Sequence, residues 1–267
     1  MLSLGQSPTH RTPKEEDRVP RAGMILSERT VRHSAGIFPY LQVDFEKSDS
    51  EVIDQATKNA MHLSEKVQAS DPAGVKREKS AIYNRNLAGV LSEVAFRFSV
   101  SEVGRRISVG PTFANPQFVL AKDQIDVVVT GKGGPRTVEI RSSGFYKTSL
   151  ERVFNGAFSI IGWYTTAKKP GETRKDFYTQ MVYHFDSTKT EENVESGLSI
   201  IFASGASKEL LKESGFDTDL KQYGATYRVI NPLVKGIPPI DIVKMILASE
   251  VQDLDCSSHR AFPQSVD

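Results

Sequence analysis

Two acidic residues lie in neighbouring runs of β-forming residues in DQIDVVVTGKGGPRTVEIRSS, residues 123–143. In a strand, successive side chains point to opposite faces, so the first run places Asp126 and Thr130 on one face. The second run places Glu139 and Arg141 together in the same way. The glycine-rich turn GKGGP between the runs predicts a tight β-hairpin. Such a hairpin would bring Asp126 and Glu139 to the same face at one of its ends.

Two carboxylates held side by side repel each other unless a cation lies between them. Magnesium is the natural occupant, because it prefers carboxylate oxygens together with water, and manganese can substitute for it. The pattern therefore predicts a divalent-metal site at Asp126 and Glu139. The alternative is that both acids face solvent, as strand acids in hairpins commonly do.

The order of these residues resembles the PD-(D/E)XK nuclease superfamily, in the form found in type II restriction endonucleases. An acid at a strand start is followed by a hairpin and then by an acid, an apolar residue and a basic residue. The matching residues are Ile125-Asp126 and Glu139-Ile140-Arg141. The superfamily often carries an extra glutamate on the preceding helix, and Glu93 in NLAGVLSEVAFRF matches it. The resemblance covers about residues 80–205.

The resemblance implies a magnesium-dependent DNA endonuclease that hydrolyses phosphodiester bonds, with sequence-specific cleavage of both strands. It implies that the metal is held by Asp126, Glu139, the carbonyl of Ile140 and Glu93. The catalytic residues would be Glu93, Asp126, Glu139, Arg141 and Lys147. The metal would lower the pKa of a bound water and neutralise charge on the scissile phosphate.

Arg141 departs from the family pattern, in which most members carry lysine at this position. Arginine keeps its proton, so it can stabilise phosphate charge but cannot act as a base. Lys147 or Lys122 would have to reach back into the site to supply an amine. The alternative is a catalytically inactive nucleic-acid-binding module on the same fold. A third possibility is an unrelated α/β protein whose acids have no catalytic role.

The elements around the hairpin alternate between helical and strand periodicity. Helices are predicted over 50–70, 75–104, 148–166, 206–215 and 238–252, with Gly104 as a stop for the second of them. Strands are predicted near 106–109, in the hairpin, and over 176–186, 197–205 and 225–230. This alternation predicts an α/β fold, a mixed central β-sheet flanked by helices, and the family resemblance adds a restriction-endonuclease-like core.

The composition fits one domain. The chain has 267 residues, of which 39% are hydrophobic, enough for one substantial core. We expect a disordered leader over 1–24, rich in Pro, Ser and charge, and a single α/β nuclease-like domain over 25–267 with its core at about 80–205. The net charge is only +1, but residues 130–180 contain nine basic and four acidic residues. Such a local excess could contact the phosphates of double-stranded DNA.

The single cysteine, Cys256, excludes a disulfide framework and a cysteine-based zinc site, and it fits a reducing compartment. The sequence also lacks the run of about 18 apolar residues that a membrane helix needs. We therefore expect a cytoplasmic protein without a membrane partner. A homodimer is expected as well, because two active sites related by a two-fold axis cut both strands of a symmetric site most simply.

Overall fold

The computed structural model describes residues 23–34, 36–46, 50–66, 78–115, 126–145, 148–165, 172–184, 194, 197–219 and 226–248. The strands are β1 (Met24–His33), β2 (Gly36–Phe45), β3 (Thr112–Ala114), β4 (Val127–Gly131), β5 (Gly134–Phe145), β6 (Ile160–Tyr164), β7 (Phe177–His184), β8 (Leu198–Ser207), β9 (Phe216–Thr218) and β10 (Tyr227–Ile230). The helices are α1 (Ser50–Lys66), α2 (Lys79–Arg106), the single turn α3 (Leu150–Arg152), α4 (Lys208–Ser214) and α5 (Pro239–Leu247). A π-turn covers Val153–Ala157, and a 3₁₀ turn covers Leu233–Lys235.

Seven strands form one sheet in the order β1-β2-β8-β7-β5-β4-β3. Every neighbouring pair is antiparallel except β5 and β7, which are parallel. A second, smaller sheet has the order β6-β10-β9. The large sheet is therefore mixed, and the predicted fold class, α/β with a mixed central sheet flanked by helices, is confirmed at that level.

Each face of the large sheet carries its own apolar core. On one face, α1, α2 and α5 pack over side chains such as Val127, Val138 and Phe202. On the other face, the turns after β5, α4 and the small sheet cover side chains such as Tyr178 and Val182. Because β5 alternates between these faces, Val138 points towards the helices and its neighbour Glu139 points the other way.

The predicted hairpin is confirmed. Gly131 pairs with Gly134 across a two-residue turn, and Val127 pairs with Val138. Gly134 has φ +85, a backbone conformation that favours glycine. Gly131 is needed for a different reason, since a Cβ there would lie 2.7 Å from the main chain of Leu247 at the end of α5. The Lys132 N–H also donates to the Leu247 carbonyl, at 3.0 Å, so α5 holds the turn in place.

The predicted strand near 106–109 is wrong, because α2 continues to Arg106 and the chain then turns before β3. Gly104 does not stop the helix as expected. A Cβ at Gly104 would lie 2.7 Å from the carbonyl oxygen of Val109, so glycine there allows the chain to fold back closely. Arg105 and Arg106 extend the last turn, where basic side chains interact favourably with the helix dipole.

The helix predicted over 148–166 is mostly wrong. Among the described residues 148–165, only α3 and the π-turn are helical, and Gly156 has φ +136, which ends the helical conformation. The β-branched and aromatic residues that follow form β6 in the small sheet. The other predicted helices and strands appear at the expected places, and β8 continues to Ser207, two residues beyond its predicted end.

The strands β1 and β2 were not predicted, although they form a ten-residue antiparallel ladder. Met24, the last residue of the expected leader, is buried in β1. Residues 1–22 lie outside the described residues. Within the described part of the chain, no helix is long and apolar enough to cross a membrane.

Candidate functional site

Asp126 lies at the bend that immediately precedes β4. Its Oδ2 accepts a hydrogen bond from the main-chain N–H of Ile140, at 2.7 Å. Glu139 follows Val138, the partner of Val127 in the hairpin, and its charge is the second cause of the raised pKa of Asp126, so the two acids lie close together. The structure thus brings together the two acids of the sequence motif.

Glu139 is a buried carboxylate held by two cations. Arg141, two residues further along β5, forms an ion pair with its Oε1. The ammonium group of Lys175 lies 3.3 Å from its Oε2 and 3.8 Å from Oε1 of Glu172. Lys175 is only 2% exposed, and a lysine is rarely buried so deeply unless it is paired.

Arg141 stays charged in this environment. Burial alone would lower the pKa of its guanidinium, but the charges of Glu139 and Asp126 outweigh burial and raise that pKa. Tyr164 of β6 and Tyr227 of β10 also act on Arg141 electrostatically, and their rings are 4.4 Å apart between centroids. The small sheet therefore lies next to Arg141 and the acidic residues beside it.

Glu93 lies on α2, apart from the Glu139 cluster. Its Oε1 forms an ion pair with Arg97, at 2.7 Å, and accepts a hydrogen bond from Asn115, at 3.1 Å. The charge of Glu93 still contributes, as the weakest of several causes, to raising the pKa of Asp126. Glu93 is therefore within electrostatic reach of Asp126, although its carboxylate is oriented by Arg97.

The pKa of Asp126 is raised to about 6, first by burial and second by the charge of Glu139. The hydrogen bond from Ile140 and the charge of Arg141 lower this pKa and only partly offset the rise. The negative charge on Asp126 is therefore undercompensated, which is what a divalent cation would correct.

The donor set fits a cation in part. Asp126 and Glu139 supply two carboxylates that interact electrostatically, and Oε2 of Glu139 is buried and accepts no hydrogen bond. Among the described residues, however, no three His, Cys, Asp or Glu side chains are close enough to hold a metal ion together. Any ion here would be held by two carboxylates, with main-chain oxygens and water as further ligands.

Asp126→Asn is expected to stabilise the metal-free protein at pH 8 by about 3 kcal/mol. The folded state binds the Asp126 proton more tightly than the unfolded state, whose pKa is about 3.9, so this group costs stability as the pH rises from about 4 through 6. Asparagine carries no such cost and keeps an oxygen for the Ile140 N–H. Denaturant unfolding in EDTA should show a larger gain at pH 8 than at pH 5. An equal gain at both values would contradict the raised pKa.

Lys175 and Glu172 are the residues of this site that the sequence did not single out. Lys175 was counted only among the basic residues that could contact DNA, and its burial argues against a surface role. Its place in the chain could have indicated its role, because it lies just before β7, the strand that pairs in parallel with β5. Arg174, beside it, lies over Trp163, with 4.6 Å between its guanidinium carbon and the ring centroid.

Several predicted residues lie outside the described part of the chain. They are Lys122, Ile125, Lys147, Lys168, Lys169 and Cys256. The predicted role of Lys147 therefore stays a prediction, as does the reach of Lys122 into the site.

One curated protein is similar to the chain over most of its length. The chain is 24% identical over 241 residues to Uncharacterized protein MJECS01 from Methanocaldococcus jannaschii. The aligned region covers 79% of this chain and 86% of that protein. That name states no activity. No protein-family model matches the chain, and no solved structure matches it.

Proposed function

We propose that the protein is a magnesium-dependent DNA endonuclease that cleaves phosphodiester bonds, with manganese able to replace magnesium. The observation that carries this proposal is the proximity of Asp126 to Glu139, in which the main-chain N–H of Ile140, the residue after Glu139, donates to Asp126. The raised pKa of Asp126 adds to it, because such a pair favours a bound cation.

The order of elements also supports the proposal. The helix α2 is followed by three antiparallel strands, β3, β4 and β5, then by the single turn α3, by β6 of the small sheet, and by β7, which runs parallel to β5. This order is similar to the helix, three strands, helix and strand of the PD-(D/E)XK superfamily, with the single turn α3 at the place of the second helix and β6 as an additional strand. In this arrangement the acids lie at the start of β4 and within β5, as the motif requires.

A magnesium ion held by Asp126, Glu139 and the carbonyl of Ile140 would activate a water and neutralise charge on the scissile phosphate. Glu93 would act on this ion through water, since Arg97 orients its carboxylate. Arg141 remains protonated and can hold a phosphate oxygen but cannot take a proton. Lys175 brings an amine to the Glu139 carboxylate, and in this proposal it orients the attacking water in place of the lysine that the family carries at position 141.

A second function is favoured by one observation. Arg141 and Lys175 already pair with Glu139, so this carboxylate is neutralised without a metal. This would suit a catalytically inactive module that binds nucleic acid through its basic residues. Both functions take double-stranded DNA as the ligand, and they differ in whether cleavage follows.

Cleavage of supercoiled plasmid and of phage DNA tests the choice directly. The protein is incubated with each substrate in magnesium, in manganese and in EDTA, beside an Asp126→Ala variant. We expect metal-dependent fragments from the wild type and none from the variant or in EDTA. A gel shift of the same DNA without cutting in any condition would favour the inactive binding module. If the protein neither cuts nor binds the DNA, both functions are excluded.

A further inference from the structure

The strand β1 lies at one end of the seven-stranded sheet, and among the described strands it pairs only with β2. It is ten residues long. Its outer edge presents a row of main-chain N–H and C=O groups, which is a template for pairing with another strand. Its central side chains, Glu28, Arg29 and Thr30, are exposed.

The side chains on the two faces of β1 pack into different apolar cores. Met24 and Leu26 belong to the core under α1, α2 and α5, whereas Val31 belongs to the core on the other face. Even-numbered residues of β1 therefore face the helices, and odd-numbered residues face away. The ion pair between Glu28 and Arg106 of α2 agrees with this assignment.

We propose that β1 pairs antiparallel with β1 of a second copy of this chain, with Thr30 opposite Thr30 on the two-fold axis. Antiparallel pairing of identical strands needs an axis perpendicular to the sheet, which keeps each face on its own side. Residues that lie opposite each other then share a face. Only registers that pair even with even and odd with odd residues are allowed.

Charge selects among the allowed registers. An axis at Glu28 would place two glutamates against each other, and an axis at Arg29 would place two arginines together. Like charges directly opposite each other on a sheet are destabilising. An axis at Thr30 instead places Glu28 opposite Arg32 twice, once on each side of the axis. Both side chains are exposed on the helix-covered side of the sheet, where each could pair across the interface.

This dimer would join the two sheets edge to edge, and it does not depend on the proposed nuclease activity. From β5 of one copy to β5 of the other there are nine strand spacings, which is roughly 43 Å at about 4.8 Å each. The two candidate sites would be too far apart to share one phosphodiester group. The proposed dimer and the proposed DNA cleavage can therefore be refuted independently of each other.

A cysteine at the proposed axis gives the sharpest test. In Thr30→Cys, made together with Cys256→Ser, the two new cysteines would have Cα atoms about 4.5–5.5 Å apart, within the range of a disulfide. We expect a disulfide-linked dimer after mild oxidation. The matched control is Arg32→Cys with Cys256→Ser, because the Cα of Arg32 would lie about 14 Å from that of its symmetry mate. Equal cross-linking of both variants would overturn the register.

Charge reversal tests the same interface without a disulfide cross-link. Arg32→Glu would place a glutamate opposite Glu28 on both sides of the axis, so we expect a monomer by light scattering. Arg29→Glu reverses an equally exposed charge that would lie opposite Val31, and this variant should remain dimeric. A monomeric wild type, as would result if another segment of this chain covers β1, would overturn the proposal. So would a dimer that survives Arg32→Glu.

Discussion

Asp126→Asn is expected to lower metal-dependent DNA cleavage by at least about a hundredfold while leaving the protein folded. Loss of even an indirect contact to a metal typically costs about 10–100-fold, so loss of a ligand should lie at or beyond the upper end. Asparagine keeps the shape and an acceptor for the Ile140 N–H. The same variant should be more stable than the wild type at pH 8, so loss of activity could not be attributed to unfolding.

Asp176→Asn is the matched control. Asp176 also accepts a hydrogen bond from a main-chain N–H of β5, that of Thr137 at 2.8 Å, but it does not lie opposite Glu139. We expect this variant to keep its cleavage activity. Rates on plasmid would be compared over a magnesium series, since a weakened ligand set needs more metal. Wild-type rates for Asp126→Asn would contradict a metal role for Asp126.

The hairpin and its acids could be predicted because their signals are local. Alternation assigns Asp126 and Glu139 to one face, and the glycine turn fixes the register that brings them together. The same reasoning failed at Gly104, because glycine there serves a close approach to Val109 rather than a helix end. Which of the two roles a glycine has depends on tertiary contacts that its neighbours in sequence do not show.

Lys175, the second cation of the site, could not be predicted, because its position depends on which strands are neighbours. Lys175 precedes β7, and it reaches Glu139 only because β7 pairs with β5 in parallel. In sequence the two residues are far apart, and Lys175 reads as one of several basic residues. The small sheet was hidden for a similar reason. Its strands are short, and β6 follows a helical turn that made the whole segment read as a helix.

The buried lysine also changes the meaning of Arg141. Taken from the sequence, arginine at this position indicates either lost catalysis or a lysine from elsewhere. In the structure, Arg141 and Lys175 bind the two oxygens of the same carboxylate. Under the proposed function, one cation would hold phosphate charge while the other would orient water, in place of the lysine of the PD-(D/E)XK pattern.

Lys175→Met is expected to lower the free energy of unfolding by about 3–5 kcal/mol. Removing one partner of a buried ion pair leaves the other charge uncompensated, and here two carboxylates, Glu139 and Glu172, lose their shared cation. Denaturant unfolding measures this loss. A decrease below about 1 kcal/mol would show that the ion pairs of Lys175 carry little stability, as at the protein surface.

Adding Glu172→Gln to Lys175→Met separates stability from catalysis. The double variant removes one positive and one negative charge, so the remaining pair of Glu139 and Arg141 is balanced. Glutamine also keeps an oxygen that can accept the hydrogen bond from the main-chain N–H of Tyr164, which in the wild type goes to Oε2 of Glu172 at 2.8 Å. We expect much of the lost stability to return, because coupled residues of one network are not additive. If Lys175 orients the attacking water, this folded double variant still fails to cleave DNA, whereas recovered cleavage would make Lys175 a purely structural residue.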